Sequence, residues 1–172
     1  MNYFDKILSP VLVGDLVTLS DITIFDKQEY FNIYTDDTLN KYWGYDYRED
    51  LSENPTPDDF YNFLLKMKET KEEYSLAIRL DNKMIGDVVM HNFSETSIEI
   101  GFRLDKNYHG FGYAFDAVKT LISYISDELK PQFITAKCYK ENTPSSKLLF
   151  KLGFINSGND ETYYYYNLPV KK

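Results

Sequence analysis

Cysteine is almost absent from this chain. Cys138 stands alone among 172 residues, so no internal disulfide can brace the fold and a reducing compartment is the simplest setting. Long apolar runs are missing too. Asp5, Lys6, Pro10, Gly14 and Asp15 interrupt the first twenty residues, leaving no secretory leader or membrane span to read; the expected location is the cytoplasm, with no membrane partner. Positive charge is in deficit, 19 Lys and Arg against 27 Asp and Glu, for a net −8. Binding along a phosphate backbone needs clustered cations, so no nucleic-acid partner is expected. The acidity suits a cationic partner but also serves solubility, and alone it decides little. With two histidines and one cysteine, no ligand spacing points to a metal. Repeats, low-complexity tracts and Pro/Gly/Ser-rich linkers are absent, so one domain spanning 1–172 is expected.

What the chain does have is apolar and aromatic material. Hydrophobic residues make up 43% of it, with sixteen Tyr and twelve Phe, enough for a core and for a pocket lined by polar-tipped rings. Val17 and Leu19 alternate with polar neighbours as in a strand, and Phe25–Tyr34 reads as a short helix. Residues 35–55 keep no period and read as a long loop or broken helix. Thr56, Pro57, Asp58 and Asp59 then signal a helix start, followed by the stripe Phe60, Phe63, Leu64, Met67.

Strands follow at Tyr74–Leu80, Met84–His91 and Ser97–Leu104, with turns at Asp81-Asn82-Lys83 and Ser94-Glu95. A long helix runs from Tyr113 to Leu129 and Pro131 ends it. Phe133–Tyr139 is a strand. The next helix has Thr143 as its candidate cap, Pro144 at its first position and Gly153 just past its end. Phe154–Ser157 and Thr162–Leu168 close the chain as strands. The order is a mixed α/β (α+β) pattern.

The chemistry concentrates between 97 and 154. After the strand ending at Leu104 comes Tyr108-His109-Gly110-Phe111-Gly112-Tyr113-Ala114, which opens the long helix. Two glycines one residue apart let the backbone approach a ligand closely. The free amides and dipole of the helix start form an anion site. The reading is a pyrophosphate cradle; standing alone, the glycine pair could equally be a tight turn. No Walker Lys-Ser/Thr pair is present, and Phe115 occupies the place of a third dinucleotide-binding glycine, which disfavours a dinucleotide-dependent enzyme.

In context this stretch resembles the GNAT acetyltransferase superfamily and, within it, the RimJ/RimL-like branch. The resemblance rests on Glu99-Ile100-Gly101-Phe102, on Tyr108 through Ala117 around the glycine pair, and on Asn142, Ser145, Leu148-Leu149 and Lys151-Leu152-Gly153-Phe154. It implies a twisted, mostly antiparallel mixed sheet of about six or seven strands flanked by about four helices. Strands 97–104 and 133–139 would splay apart at the cofactor site. It implies an N-acetyltransferase that moves an acetyl group from acetyl-CoA to a primary amine, a small cationic amine or a peptide N-terminus, by direct transfer; a non-catalytic acyl-CoA-binding or partner-binding module is the alternative. Relatives are often homodimers.

By the same resemblance, the backbone of Phe102, Arg103 and Leu104 pairs with the pantetheine arm like an added strand. Amides from His109 through Gly110, Phe111, Gly112 and Tyr113 to Ala114 hold the pyrophosphate. Asn142 bonds pantetheine or its neighbouring backbone, Glu99 is the candidate general base, acting through water, and an amide near Phe102 steadies the oxyanion. The family's Tyr proton donor falls on Leu149 here, so Ser145 is the candidate acid, with Ser146 its neighbour.

Each assignment has a plainer counterpart. Glu99 could be an ordinary strand residue, and Ser145 could satisfy amides of the first helical turn. Asp116 reads as a dipole-compensating or structural acid. His109 suits either a phosphate or a surface role, and His91 reads as a strand-end residue. The Tyr163–Tyr166 run reads as strand aromatics with alternate faces, one buried, or as a dimer edge. Residues 35–59 hold eight acids, Asp36 and Asp37 first among them, against Lys41 and Arg48, with Tyr42, Trp43, Tyr45 and Tyr47 between. That segment is either a border for a cationic acceptor or a solvated acidic loop.

Overall fold

The computed structural model describes residues 2–171. The chain forms β1 (Leu12–Val13), β2 (Thr18–Asp21), α1 (Lys27–Thr35), α2 (Asp37–Asn40), α3 (Pro57–Glu69), β3 (Glu73–Leu80), β4 (Lys83–His91), β5 (Ser97–Leu104), α4 (Tyr113–Tyr124), β6 (Phe133–Tyr139), α5 (Thr143–Lys151), β7 (Ile155–Asn159) and β8 (Tyr163–Pro169). One eight-stranded sheet runs in the order β1-β2-β3-β4-β5-β6-β8-β7. Every neighbouring pair is antiparallel except β5–β6. The class is the expected mixed α/β, and the strand beyond the seven read from sequence is the two-residue β1.

Two apolar layers sandwich the sheet. On one face Val88, Met90, Ile98 and Ile100 pack against Val118 and Leu121 of α4. On the other, Tyr30 and Ile33 of α1 and Phe60 and Leu64 of α3 cover Ala77 and Met84. Burial of a side chain of this size stabilises by about 1.5–3 kcal/mol, which is what holds the helices in place. The covering helices leave the β4–β6 end of their face open.

Local chemistry explains most element ends. The Thr56 hydroxyl accepts from the Asp59 amide, Asp59 Oδ2 accepts from the Thr56 amide at 2.7 Å, and Pro57 holds the first helical position. α1 begins two residues later than read, because Ile24–Asp26 forms a 3-10 turn. Asp26 is taken up there by the Thr23 amide at 2.7 Å and by Arg79. α4 ends in one π-wound turn, Ile125–Leu129, closed by Lys130 at φ 55°. The cap of α5 is Asn142, not Thr143: its side-chain oxygen accepts from the Ser145 amide, which moves the helix start one residue earlier.

β8 lies between β6 and β7, so the tyrosine run is no free sheet edge. Tyr166 is buried while Tyr165 is exposed, as alternate faces require.

Candidate active site

β5 and β6 pair in parallel only at Ser97–Phe133, Ile98–Ile134 and Glu99–Thr135. Past Glu99 they separate. β5 continues along β4 as far as Leu104, and β6 along β8 as far as Tyr139. The split leaves one backbone edge of Ile100–Leu104 without a strand partner, which is a template for an extended ligand.

A cleft of about 420 Å³ follows that edge and reaches the start of α4. Phe102, Arg103 and Leu104 form one wall. His109, Gly110, Gly112, Tyr113 and Ala114 form the end, and Asn142 and Ser145 close the side. Gly110 and Gly112 both have φ +84°, a conformation that side chains disfavour, and a Cβ on Gly110 would meet nothing within 4 Å. Backbone conformation, not crowding by the protein, is what calls for glycine there. The first bond of α4 runs from the Asp116 amide to the Gly112 carbonyl at 3.0 Å, so the amides ahead of it find no acceptor inside the helix.

Several expected residues take more specific positions. His109 Nε2 lies 2.7 Å from the Leu104 carbonyl. A carbonyl only accepts, so Nε2 carries the proton, and the ring ties the glycine loop to the end of β5. The Phe111 side chain is exposed, its ring stacked on Tyr113 at 5.7 Å. Asp116 is structural, as its plainer reading has it: it accepts from the amides of Asp15, Leu16 and Val17 at 3.0, 2.8 and 2.9 Å. Ser145 leaves capping to Asn142. Ser146 is engaged elsewhere, with its Oγ 3.1 Å from Cys138 Sγ and accepting from the Tyr166 hydroxyl at 3.1 Å. Leu149, which the resemblance sets at the place of a tyrosine proton donor, is a buried apolar side chain.

A second cavity, about 760 Å³, opens on the face of the sheet covered by α3. The two spaces share Tyr42, Trp43, Phe102, Asn142 and Ser145, so they meet at the split between β5 and β6. Glu99 lines this second cavity and is absent from the walls of the first. Asn92 Nδ2 donates to its Oε2 at 2.8 Å, and His91 Nε2 stands 3.8 Å from its Oε1. Burial pushes the His91 imidazole below its ordinary value; Glu99 opposes that shift and Lys137 adds to it.

The boundary between the cavities hangs on one buried cation. Arg103 donates to Asp87 at 3.1 and 2.8 Å and to Asn40 at 3.0 Å. Its guanidinium lies between the rings of Tyr34 and Trp43, 3.7 and 3.9 Å from their centres. Burial works against the charge, and the Asp87 carboxylate together with Tyr34 and Tyr30 outweighs it, holding Arg103 above its ordinary value. The Asn40 amide in turn donates to the carbonyls of Ile33, Tyr34 and Asp36. The segment after α1 is thereby pinned to β5. Trp43 lies over Gly101, where a Cβ would come within 3.2 Å of the indole.

Most of the eight acids between 35 and 59 are engaged in local structure, which neither a free acceptor border nor a solvated loop describes. Asp36, Asp46 and Asp59 cap helical turns, Asp37 pairs with Arg48, and Asp58 with Lys27. Only Asp50 of that set lines the larger cavity, where its Oδ2 accepts from the Tyr45 hydroxyl at 2.6 Å. The cavity's other acids, Glu72, Glu73 and Glu99, come from the end of the α3–β3 link and from the sheet. Sequence reasoning missed His91, Glu73, Lys137 and Tyr163 on these walls. The signal available for the first two was hairpin register, which opposes Glu73 to His91 and His91 to Glu99.

A family model described as an acetyltransferase (GNAT) domain matches residues 17–155. Among curated relatives, the uncharacterized N-acetyltransferase YnaD of Bacillus subtilis (strain 168) is 31% identical over 105 residues, 60% of this chain and 62% of that protein. The uncharacterized N-acetyltransferase YoaA of the same organism is 24% identical over 92% of this chain and 90% of its own. Among solved structures, a GNAT-family acetyltransferase from Bacillus anthracis superposes with a TM-score of 0.79 at 24% identity, covering 95% of this chain and 100% of that one. Mycobacterium smegmatis RimJ in complex with CoA-disulfide gives 0.78 at 17% identity, covering 94% and 88%. Spermidine N-acetyltransferase from Vibrio cholerae in complex with CoA and spermine gives 0.79 at 16% identity, covering 91% and 97%. The family model spans most of the chain and agrees with the split strands and the glycine pair ahead of α4, so the chain belongs to the GNAT family of N-acetyltransferases.

Proposed function

We propose that this N-acetyltransferase draws its acetyl group from acetyl-CoA and passes it directly to a primary amine that carries positive charge. The observation that carries this reading is the meeting of two cavities at the β5–β6 split. One has a free strand edge and a glycine-rich helix start, suited to a pantetheine arm and a diphosphate. The other has carboxylates and aromatic faces, suited to a cation.

The residues present fit the coenzyme. The backbone of Phe102, Arg103 and Leu104 would hold the arm, though His109 already occupies the Leu104 carbonyl. The amides from Gly110 to Ala114 would hold the diphosphate, and Asn142 Nδ2 is on hand at the split because capping uses only its oxygen. Acetyl-CoA brings an acetyl thioester activated for attack. The protein's part is to align two reactants across the split, to draw an ammonium to Glu99, and to offer an amide near Phe102 to the developing oxyanion. Ser145, on the wall common to both cavities, is the proton donor assigned to the leaving sulfur.

A cationic acceptor is supported by Asp50, Glu72, Glu73 and Glu99 in one cavity, set against Lys66, Lys71 and Lys137, of which Lys71 is engaged by Asp5 at 2.6 Å. The Vibrio cholerae neighbour, crystallised with CoA and spermine, is consistent with that class. The test is calorimetry with acetyl-CoA, followed by a mass-spectrometric screen of polyamines, aminoglycosides, amino acids and peptide N-termini. Binding with mono-acetylated product is expected, and Glu99→Gln should bind acetyl-CoA like the parent but turn over slowly. No heat with any coenzyme A species refutes the reading; binding without product across the screen favours a non-catalytic module.

A further inference from the structure

Three ionisable side chains stand in one row across the sheet. Glu73 on β3 is directly opposite His91 on β4, and His91 is directly opposite Glu99 on β5. Opposed residues in antiparallel strands send their side chains to the same face, and all three line the larger cavity. With strands about 4.8 Å apart, the backbone of His91 lies midway between those of Glu73 and Glu99, about 10 Å apart, and its imidazole stands nearest the Glu99 carboxylate.

The inner pair leaves room for a third atom. His91 Nε2 and Glu99 Oε1 are 3.8 Å apart, too far to bond each other. Asn92 occupies Glu99 Oε2 at 2.8 Å and holds the carboxylate in place. A nitrogen about 2.8–3.0 Å from each partner would bridge the gap at ordinary hydrogen-bond lengths. Both side chains remain reachable from the cavity, with 29% and 17% of their surfaces exposed.

We propose that His91 is the catalytic base of the acetyl transfer: Glu99 Oε1 and His91 Nε2 together grip the acceptor's ammonium, and the proton it must lose goes to the His91 imidazole. This deepens the reading given above and rests on it. The ammonium gives one proton to Nε2 and becomes a neutral amine. That nitrogen forms its bond to the acetyl carbonyl carbon while the carbon–sulfur bond breaks and the sulfur leaves with the bonding pair. Ser145 gives its hydroxyl proton to the sulfur and is replenished by the nitrogen's next proton, and the imidazolium then returns its proton to water. The sum is ammonium plus thioester giving amide, thiol and one proton.

Basicity favours the imidazole over the carboxylate. An ordinary glutamate, near 4.3, is a weak base toward an ammonium near 10, and a histidine lies much closer to neutral pH. The surroundings favour the neutral imidazole, the form that can accept a proton. Burial lowers it, Glu99 on β5 opposes, and Lys137 on β6 lowers it further. Glu73 flanks it from β3, with its own carboxyl raised by burial and partly offset by a 3.1 Å bond from the Ser75 hydroxyl. Lys66, Lys71, Glu72 and Asp50 stand on the remaining walls.

Two readouts test the assignment. The chain has two histidines, so ring NMR of the free protein, with His109→Gln to assign the signals, follows the His91 titration directly. The acid limb of kcat/KM for the amine is measured in parallel. The limb and the NMR midpoint should coincide; Lys137→Gln should move both upward, and Glu99→Gln should move the NMR midpoint downward. His91→Gln should lower kcat about 100-fold or more, leave acetyl-CoA binding intact and erase the limb. If that variant does not fold, the Lys137→Gln comparison decides on its own. A limb that survives His91→Gln, or that fails to follow the NMR midpoint, overturns the proposal. A parent that acetylates no amine overturns the proposed function and this assignment together, whereas turnover with a limb indifferent to His91 overturns only the latter.

Discussion

Removing the Arg103 guanidinium should damage this protein more than removing any exposed charge. In Arg103→Met, Asp87 stays fully buried at 0% exposure and loses both of its guanidinium bonds, while Asn40 Oδ1 loses the third. Breaking a buried pair from one side costs about 3–5 kcal/mol, because an uncompensated charge is left behind. The methionine recovers some ring contact with Tyr34 and Trp43, so about 4 kcal/mol is a fair net figure. At about 2–4 °C per kcal/mol for a chain of this size, the melting temperature should fall by about 8–16 °C. Arg103→Met combined with Asp87→Leu removes both charges and should recover stability to within about 1 kcal/mol of the parent. Activity should not recover with it, since Asn40 and Trp43 no longer have a cation to hold the segment after α1 against β5; the amine KM should stay raised. Urea and thermal unfolding followed by circular dichroism, with initial rates on the same samples, measure all of this. A loss under about 1 kcal/mol in Arg103→Met, or a double variant that costs the sum of the two singles, would refute the account.

Gly112→Val forces a branched side chain into φ +84° at the mouth of the cradle, and acetyl-CoA binding by calorimetry should weaken at least about tenfold, or ~1.4 kcal/mol. Asp116→Ala strands the amides of Asp15, Leu16 and Val17; about 3 kcal/mol of stability should be lost in urea unfolding, and a midpoint unchanged from the parent would contradict the structural role. Burial alone would raise Asp26, but bonds from Arg79 and Thr23 bring it below 3.8. Its contribution is therefore present in full above that value and lost as pH falls through the lower folded one. The stability gap between the parent and Asp26→Asn should close as pH drops below about 3.8; a gap independent of pH would show that Asp26 does not act through its charge.

Sequence alone determined the parts of this protein whose physics is local. The Thr56–Asp59 capping box, the turn at Asp81-Asn82 with its positive φ angles, the apolar stripe of α4 and the glycine pair ahead of it all depend on residues within a few positions of each other. Propensity and periodicity therefore reach them. Even the split between β5 and β6 was legible, through blocks of residues that resemble a family. Where local rules competed, sequence erred by a residue or two: Asn142 reached the Ser145 amide and displaced Thr143 as the cap.

Which charges share a space was settled by long-range folding. Glu73, His91 and Glu99 are consecutive across three strands yet up to 26 positions apart along the chain, and a one-residue slip in either hairpin would have sent them to opposite faces. Arg103 finds Asn40 63 positions away, although nothing near Arg103 in sequence marks it as a buried anchor. For the acid-rich stretch after Thr35, sequence left an acceptor border and a solvated loop equally open, and most of its carboxylates lie against helix amides and lysine or arginine side chains. Charge becomes a binding surface only once folding settles which partners are already within reach.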